Sequence, residues 1–204
     1  MERICKLHHT LCRRKNMVRY EAKLPRPGDP SCHTIFIGHN PSMATWTSGH
    51  YFANPSNRFW ALLHTAGLCG YPEANQDDHL VQTRGFGFCD VLESPGSDAQ
   101  QVSRELMRHN TPAFMKRIEK YATSMNGTLK RVCFIGKRQW KHLFDRQLPR
   151  CSHGLQPTDL RPEQWPVILD GVEVWVMPSP SGRAVLSKEE RQATYNDLGS
   201  VING

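Results

Sequence analysis

Four short apolar runs punctuate the chain, and each stops at a turn residue. Thr34–Ile37 ends at Gly38, and Gly85–Leu92 ends at Ser94-Pro95-Gly96-Ser97. Arg131–Ile135 ends at Gly136-Lys137, and Val172–Met177 at the Pro178–Arg183 segment. Runs of this length bounded by turn formers read as buried strands. Helical spacing fills the intervals. Asn57–Ala66 is the first helix; Val102, Leu106, Phe114 and Ile118 mark a second pattern across Asp98–Tyr121. Thr111-Pro112 is expected to interrupt that pattern, with Pro112 opening a new helix at its first position. Gly136-Lys137 opens a helix through Trp140, Leu143 and Phe144. Ser187 with Glu190 forms a capping box for a last helix from Lys188 to about Leu198. Leu68–Gln82 reads as a mixed connector and Cys151–Pro166 as irregular, Pro-rich chain.

Strands alternating with helices predict an α/β fold: three αβα layers around a central, mostly parallel sheet of about four to five strands. In such a sheet the loops leaving the strands gather along one edge, where they can line one cleft. The expected organisation is a basic, loose arm over 1–31, with a strand or helix near Met17–Ala22, followed by one domain over 32–204.

Composition changes this picture in three places. A net charge of +7 favours a polyanionic partner without bearing on fold. Seven scattered cysteines with no Cys-x-x-Cys suggest reduced thiols inside a cell. No apolar run approaches a membrane span. The Cys5-x-x-His8-His9-x-x-Cys12 cluster lacks the spacing of a recurrent zinc site and a second ligand pair, so no metal is expected there.

The polar turn after the first strand carries the sharpest signal. Gly38-His39-Asn40-Pro41, then Phe52-Ala53, then Pro55-Ser56-Asn57-Arg58-Phe59-Trp60 resemble the first motif of the mismatch-specific uracil/thymine-DNA glycosylases, with Asn40 and Phe52 in ungapped register. The segment Met177-Pro178-Ser179-Pro180-Ser181-Gly182-Arg183 resembles that family's second motif. The likeness spans roughly residues 33 to 198.

What the resemblance implies is a monofunctional glycosylase acting on uracil, with thymine or modified pyrimidines as further candidates, in mismatches with guanine. Asn40 would hold the attacking water, and Phe52 would stack on an extruded base. His39, Thr45 and Asp90 would border the base. Ser179, Ser181 and Gly182 would contact phosphates, as would Lys137 in a Gly-Lys pair, while Arg183 would fill the gap left in the duplex. Taken singly, each has an ordinary reading: Asn40 a turn residue, Phe52 a core aromatic, Lys137 and Arg183 solvated charges, Asp90 a turn carboxylate. The chain departs from the motif at His39, Ser42 and Thr45, which leaves base preference open.

The resemblance implies no cofactor, and double-stranded DNA with mismatched or damaged pyrimidines as partner, bound by a monomer. Its address would be nuclear in a eukaryote and cytoplasmic otherwise, with a mitochondrial one also open. Two other classes stay in view: a catalytically idle mismatch-binding relative, and a hydrolase of small nucleosides.

Overall fold

The computed structural model describes residues 21–96, 102–145, 148, 151–182 and 185–204. Five strands form one sheet in the order β2-β1-β3-β5-β4. They are β1 (Thr34–Gly38), β2 (Phe86–Asp90), β3 (Arg131–Ile135), β4 (Gly154–Leu155) and β5 (Glu173–Met177). β1, β2, β3 and β5 run parallel, and only the two-residue β4 is antiparallel, against β5. The predicted three-layer α/β class is the one observed.

Side-chain alternation divides the core between the two faces of the sheet. Ile35, Ile37, Val132, Phe134, Val174 and Val176 point to one face, packing with Met107, Phe114, Ile118 and Trp140. Phe36, Phe86, Phe88, Cys133, Ile135 and Met177 point to the other, packing with Phe59, Leu63, Leu80, Tyr195 and Leu198. Strands buried on both faces read as continuous apolar runs, which is why they were visible in the sequence.

The described helices are α1 (Met43–Ser48), α2 (Phe59–Thr65), α3 (Gln76–Arg84), α4 (Arg104–Ser124), α5 (Lys137–Lys141) and α6 (Lys188–Asn203). The Ser187–Glu190 capping box opens α6 as expected. Three expectations are corrected. The connector over Leu68–Gln82 contains the start of α3, whose buried residues are Asp77, Leu80 and Val81. A helix that buries one carboxylate and two apolar residues leaves only a faint apolar stripe.

The break at Thr111-Pro112 is absent, because α4 runs through Pro112 without ending. Thr111 donates its hydroxyl to Met107 O at 3.0 Å and Asn110 its amide to Leu106 O at 2.8 Å, so the turn before the proline is reinforced, although neither bond replaces the one that Pro112 cannot give to the carbonyl of Arg108. Burial of Met107, Phe114, Met115 and Ile118 along one stripe outweighs the rest of the cost. Third, the Cys151–Pro166 stretch includes β4, and a 3-10 turn at Val167–Leu169 follows it.

Of the expected arm, residues 21–31 are described, and Lys23 pairs with Phe88 beside β2 through two backbone hydrogen bonds of 2.9 and 2.7 Å. The Cys5–Cys12 cluster lies outside the described residues, as do Asp98–Gln101 at the start of the expected second helix.

α6 crosses α2 at Gly199, where a Cβ would stand 2.3 Å from Ala66 O. Glycine to alanine inside a helix ordinarily stabilises by about 1 kcal/mol. Here the added methyl meets backbone, so Gly199→Ala is expected to destabilise by about 1–3 kcal/mol. A urea midpoint that falls with unchanged slope is the expected readout; a rise would show that the two helices are free to part.

Candidate active site

The loops after β1, β2, β3 and β5 leave the carboxyl edge of the sheet, and contacts join three of them. The β1 and β2 loops are stitched by Val91 N–H to Gly38 O, Leu92 N–H to His39 O, and Gly96 N–H to Pro41 O, each at 2.9–3.0 Å. Arg58 N–H donates to Pro180 O at 2.9 Å, tying the segment before α2 to the β5 loop.

Two glycines make room for side chains. Gly38 faces Asp90 in the parallel register of β1 and β2. A Cβ on Gly38 would lie 1.9 Å from Asp90 Oδ1 and 3.5 Å from the edge of the Phe52 ring. Only a residue without a side chain admits both groups. A Cβ on Gly96 would likewise lie 2.7 Å from Asn40 Nδ2. The Asn40 amide therefore spans the two loops, donating from Nδ2 to Gly96 O at 3.1 Å and lying with Oδ1 2.8 Å from His39 Nδ1.

Phe52 is half-buried and stacks on Phe59 with ring centroids 3.9 Å apart. Its φ of 55° is left-handed, a conformation that costs a non-glycine residue about 1–3 kcal/mol unless its surroundings impose it. They do so through Tyr51. Tyr51 N–H donates to Asp77 Oδ2 at 2.8 Å, and Tyr51 O accepts from Trp60 Nε1 at 2.9 Å. Asp77 is fully buried and also receives Lys23 Nζ at 2.9 Å and His50 Nδ1 at 2.8 Å.

His50, Asp77 and Asp78 form a grouping with the compactness of a cation site. The Lys23 ammonium, 2.9 Å from Asp77 and 2.7 Å from Asp78, already supplies the positive charge there.

The remaining residues predicted for the site fall as follows. Thr45 is buried, with its hydroxyl 3.0 Å from that of Ser42, and Ser42 Oγ accepts the Thr45 N–H as the N-cap of α1. Serine in place of the motif's glycine thus caps a helix, and Thr45 serves that cap. His39 and Asp90 are buried. Burial lowers the basicity of His39, keeping the ring neutral near pH 7.

Lys137 is half-buried in the first turn of α5; burial of His153, and to a lesser extent the Lys137 charge, lowers that histidine's pKa to about 4. Ser179 is half-buried, and its Oγ accepts the Ser181 N–H at 3.4 Å. Ser181 and Gly182 are exposed, with Gly182 lying over the Ser56 backbone. Arg183 lies outside the described residues.

Two supporting residues escaped the sequence reading. Arg117 on α4 donates through Nη2 to Asp90 O at 3.1 Å and Val91 O at 2.8 Å, fixing the end of β2. In sequence it is one basic residue among several on a helix. Asp77 sits in the segment read as connector. A groove of about 560 Å³ lined by Arg58, Leu62, Thr65, Lys188, Gln192 and Asn196 runs between α2 and α6. Its lining includes neither Asn40, Phe52 nor Asp90, so the chemistry is placed at the sheet edge instead.

Fold and site together define a three-layer α/β protein whose polar groups meet at the carboxyl edge of a parallel sheet. Residues 25–199 match the family model of the uracil DNA glycosylase superfamily, and the chain belongs to that superfamily. Among solved structures it is similar to the solution NMR structure of a candidate uracil DNA glycosylase from Methanosarcina acetivorans. The two are 19% identical, with a TM-score of 0.54, over 91% of this chain and 97% of that one. At that identity the likeness speaks for the fold.

The Asp77 network yields a stability test. Asp77→Ala removes the acceptor of the Tyr51 amide and leaves the Lys23 ammonium only the exposed Asp78 carboxylate, and is expected to cost about 3 kcal/mol. Asp78→Ala, at an exposed carboxylate, is expected to cost no more than about 1 kcal/mol. Equal losses in urea unfolding would show that the buried carboxylate is not what holds the Tyr51 turn.

Proposed function

We propose that this protein is a monofunctional DNA glycosylase of the mismatch-specific uracil/thymine type, hydrolysing the N-glycosidic bond of uracil opposite guanine. One observation carries the reading: the Asn40 amide is fixed across two loops, two residues after the glycine where the Phe52 ring and the Asp90 carboxylate converge. Superfamily membership supports glycosidic-bond chemistry. The motif register from Asn40 to Trp60 supports the mismatch-specific branch.

A base inside a duplex is unreachable, so the nucleotide must be extruded, and a wobble pair is cheaper to open than a Watson–Crick pair. In this reading the flipped base stacks on Phe52, with Asp90 accepting a hydrogen bond from a base N–H. The N1–C1′ bond breaks as the sugar takes on oxocarbenium character. The base departs with the bonding electrons, a water oxygen bonds to C1′, and the water's proton passes to solvent or to the departing base. Asn40 accepts one hydrogen bond from that water. An amide orients a water but does not deprotonate it, so turnover is slow and depends on positioning.

A carboxylate at Asp90 opposes negative charge growing on the leaving base, which adds to the slowness. Lys137, Ser179, Ser181 and Gly182 serve as backbone contacts on the DNA, and Arg183 enters the vacated space, which suits the net charge of +7. The protein acts as a monomer in base-excision repair, in the nucleus if the cell has one.

Incubation with duplexes carrying G·U, G·T or A·U tests this. Wild type is expected to release uracil from G·U fastest. Asn40→Ala is expected to lose about 100-fold or more in single-turnover rate while still binding the duplex. Equal release by both proteins would remove Asn40 from the mechanism, and tight binding with no base released by wild type would make the protein a mismatch-binding relative.

A further inference from the structure

The contacts of the Asn40 amide determine its orientation. Gly96 O is a carbonyl and only accepts, so the Asn40 atom 3.1 Å away must be the amide nitrogen. Oδ1 then faces His39 Nδ1 at 2.8 Å. A carbonyl oxygen only accepts as well, so Nδ1 must carry a proton. A ring with its hydrogen on Nε2 would set a nitrogen lone pair against the oxygen lone pair at that distance.

Burial disfavours the charged imidazolium and outweighs the Asn40 hydrogen bond, which favours it, while the neighbouring Arg138 guanidinium acts with burial. His39 is therefore the neutral ring with its hydrogen on Nδ1. Its Nε2 is buried with no hydrogen-bond partner among the described residues, so no protein acceptor competes to draw the hydrogen to that side. His142, whose basicity is lowered in part by His39, also has a buried ring nitrogen, Nδ1, without a partner.

We infer that His39 is a positioning residue: its Nδ1–H locks the Asn40 side-chain amide in one of its two orientations. A half-turn of the amide would bring Oδ1 against Gly96 O and the NH2 group against Nδ1–H, replacing two attractions with two repulsions. One lone pair of Oδ1 and one N–H of Nδ2 stay free, and these are what a water can use. The inference deepens the glycosylase reading: if Asn40 places the nucleophilic water, His39 fixes where that water sits. It also gives a physical role to a histidine that departs from the family motif.

The lock is tested in two arms, the first independent of activity. In protein carrying 15N-labelled histidine, long-range proton–nitrogen NMR correlations report which ring nitrogen bears hydrogen. The Nδ1–H tautomer is expected for His39 in wild type, with a shift toward a tautomer mixture in Asn40→Ala. An Nε2–H ring in wild type, or a His39 pattern untouched by Asn40→Ala, overturns the lock.

The second arm follows single-turnover release of uracil from a G·U duplex. His39→Leu is expected to lose about 10-fold in rate, the scale of one hydrogen bond, with an unchanged dissociation constant for the duplex. His39→Asn can present an N–H near the place of Nδ1 and is expected to recover to within about 3-fold of wild type. A leucine variant as fast as wild type, or an asparagine variant as slow as leucine, overturns the inference; the latter would move the role to Nε2. If wild-type protein releases no base, the glycosylase reading fails and the tautomer measurement still decides the lock.

Discussion

The site depends on the missing side chain at Gly38. Parallel pairing sets Gly38 opposite Asp90, and the Asp90 carboxylate occupies the space of a Gly38 Cβ, 1.9 Å away, with the Phe52 ring edge alongside. A Cβ there would push the carboxylate out of its place, while the ring edge at 3.5 Å would remain in ordinary contact. Gly96 repeats the device one loop further on, where the Asn40 amide fits against a backbone bare of Cβ. The carboxylate and the ring thus meet over one bare glycine and the amide lies against another, because these side chains reach toward the space that a Cβ would take.

The rest of the fold keeps those groups in place. Phe52 sits in a left-handed conformation held by the clamped Tyr51 peptide, whose two hydrogen bonds run to Asp77 and Trp60. The β2 end is gripped by Arg117 from the opposite layer. Support therefore comes from both faces of the sheet. Under the proposed function rigid positioning would be the main resource, because an amide orients a water without acting as a base.

Much of this was legible in the sequence, for identifiable reasons. Strands buried on both faces announce themselves as apolar runs, and the turn residues that stop them fixed the sheet edge. The Asn40–Phe52 register came from a resemblance, and periodicity alone would have left Asn40 an ordinary turn residue. What stayed hidden was polar or long-range. α1 is spelled Met-Ala-Thr-Trp-Thr-Ser and buries only Thr45, so it has no apolar stripe to detect. α3 buries a carboxylate whose partners, Lys23 and His50, lie far off in the chain. Pro112 read as a break because local rules carry no information about the stripe that α4 buries. Thr45 also meets Ser42 at the N-terminus of α1, a contact that no local pattern announces.

A structure of the protein bound to duplex DNA carrying 2′-fluoro-2′-deoxyuridine opposite guanine, which resists cleavage, tests the account most directly. The expected result is an extruded uracil lying on the Phe52 ring, with C1′ next to a water held by the Asn40 amide. A duplex seated on another face, or a uracil left in the stack while Asn40 and Phe52 face solvent, would contradict it.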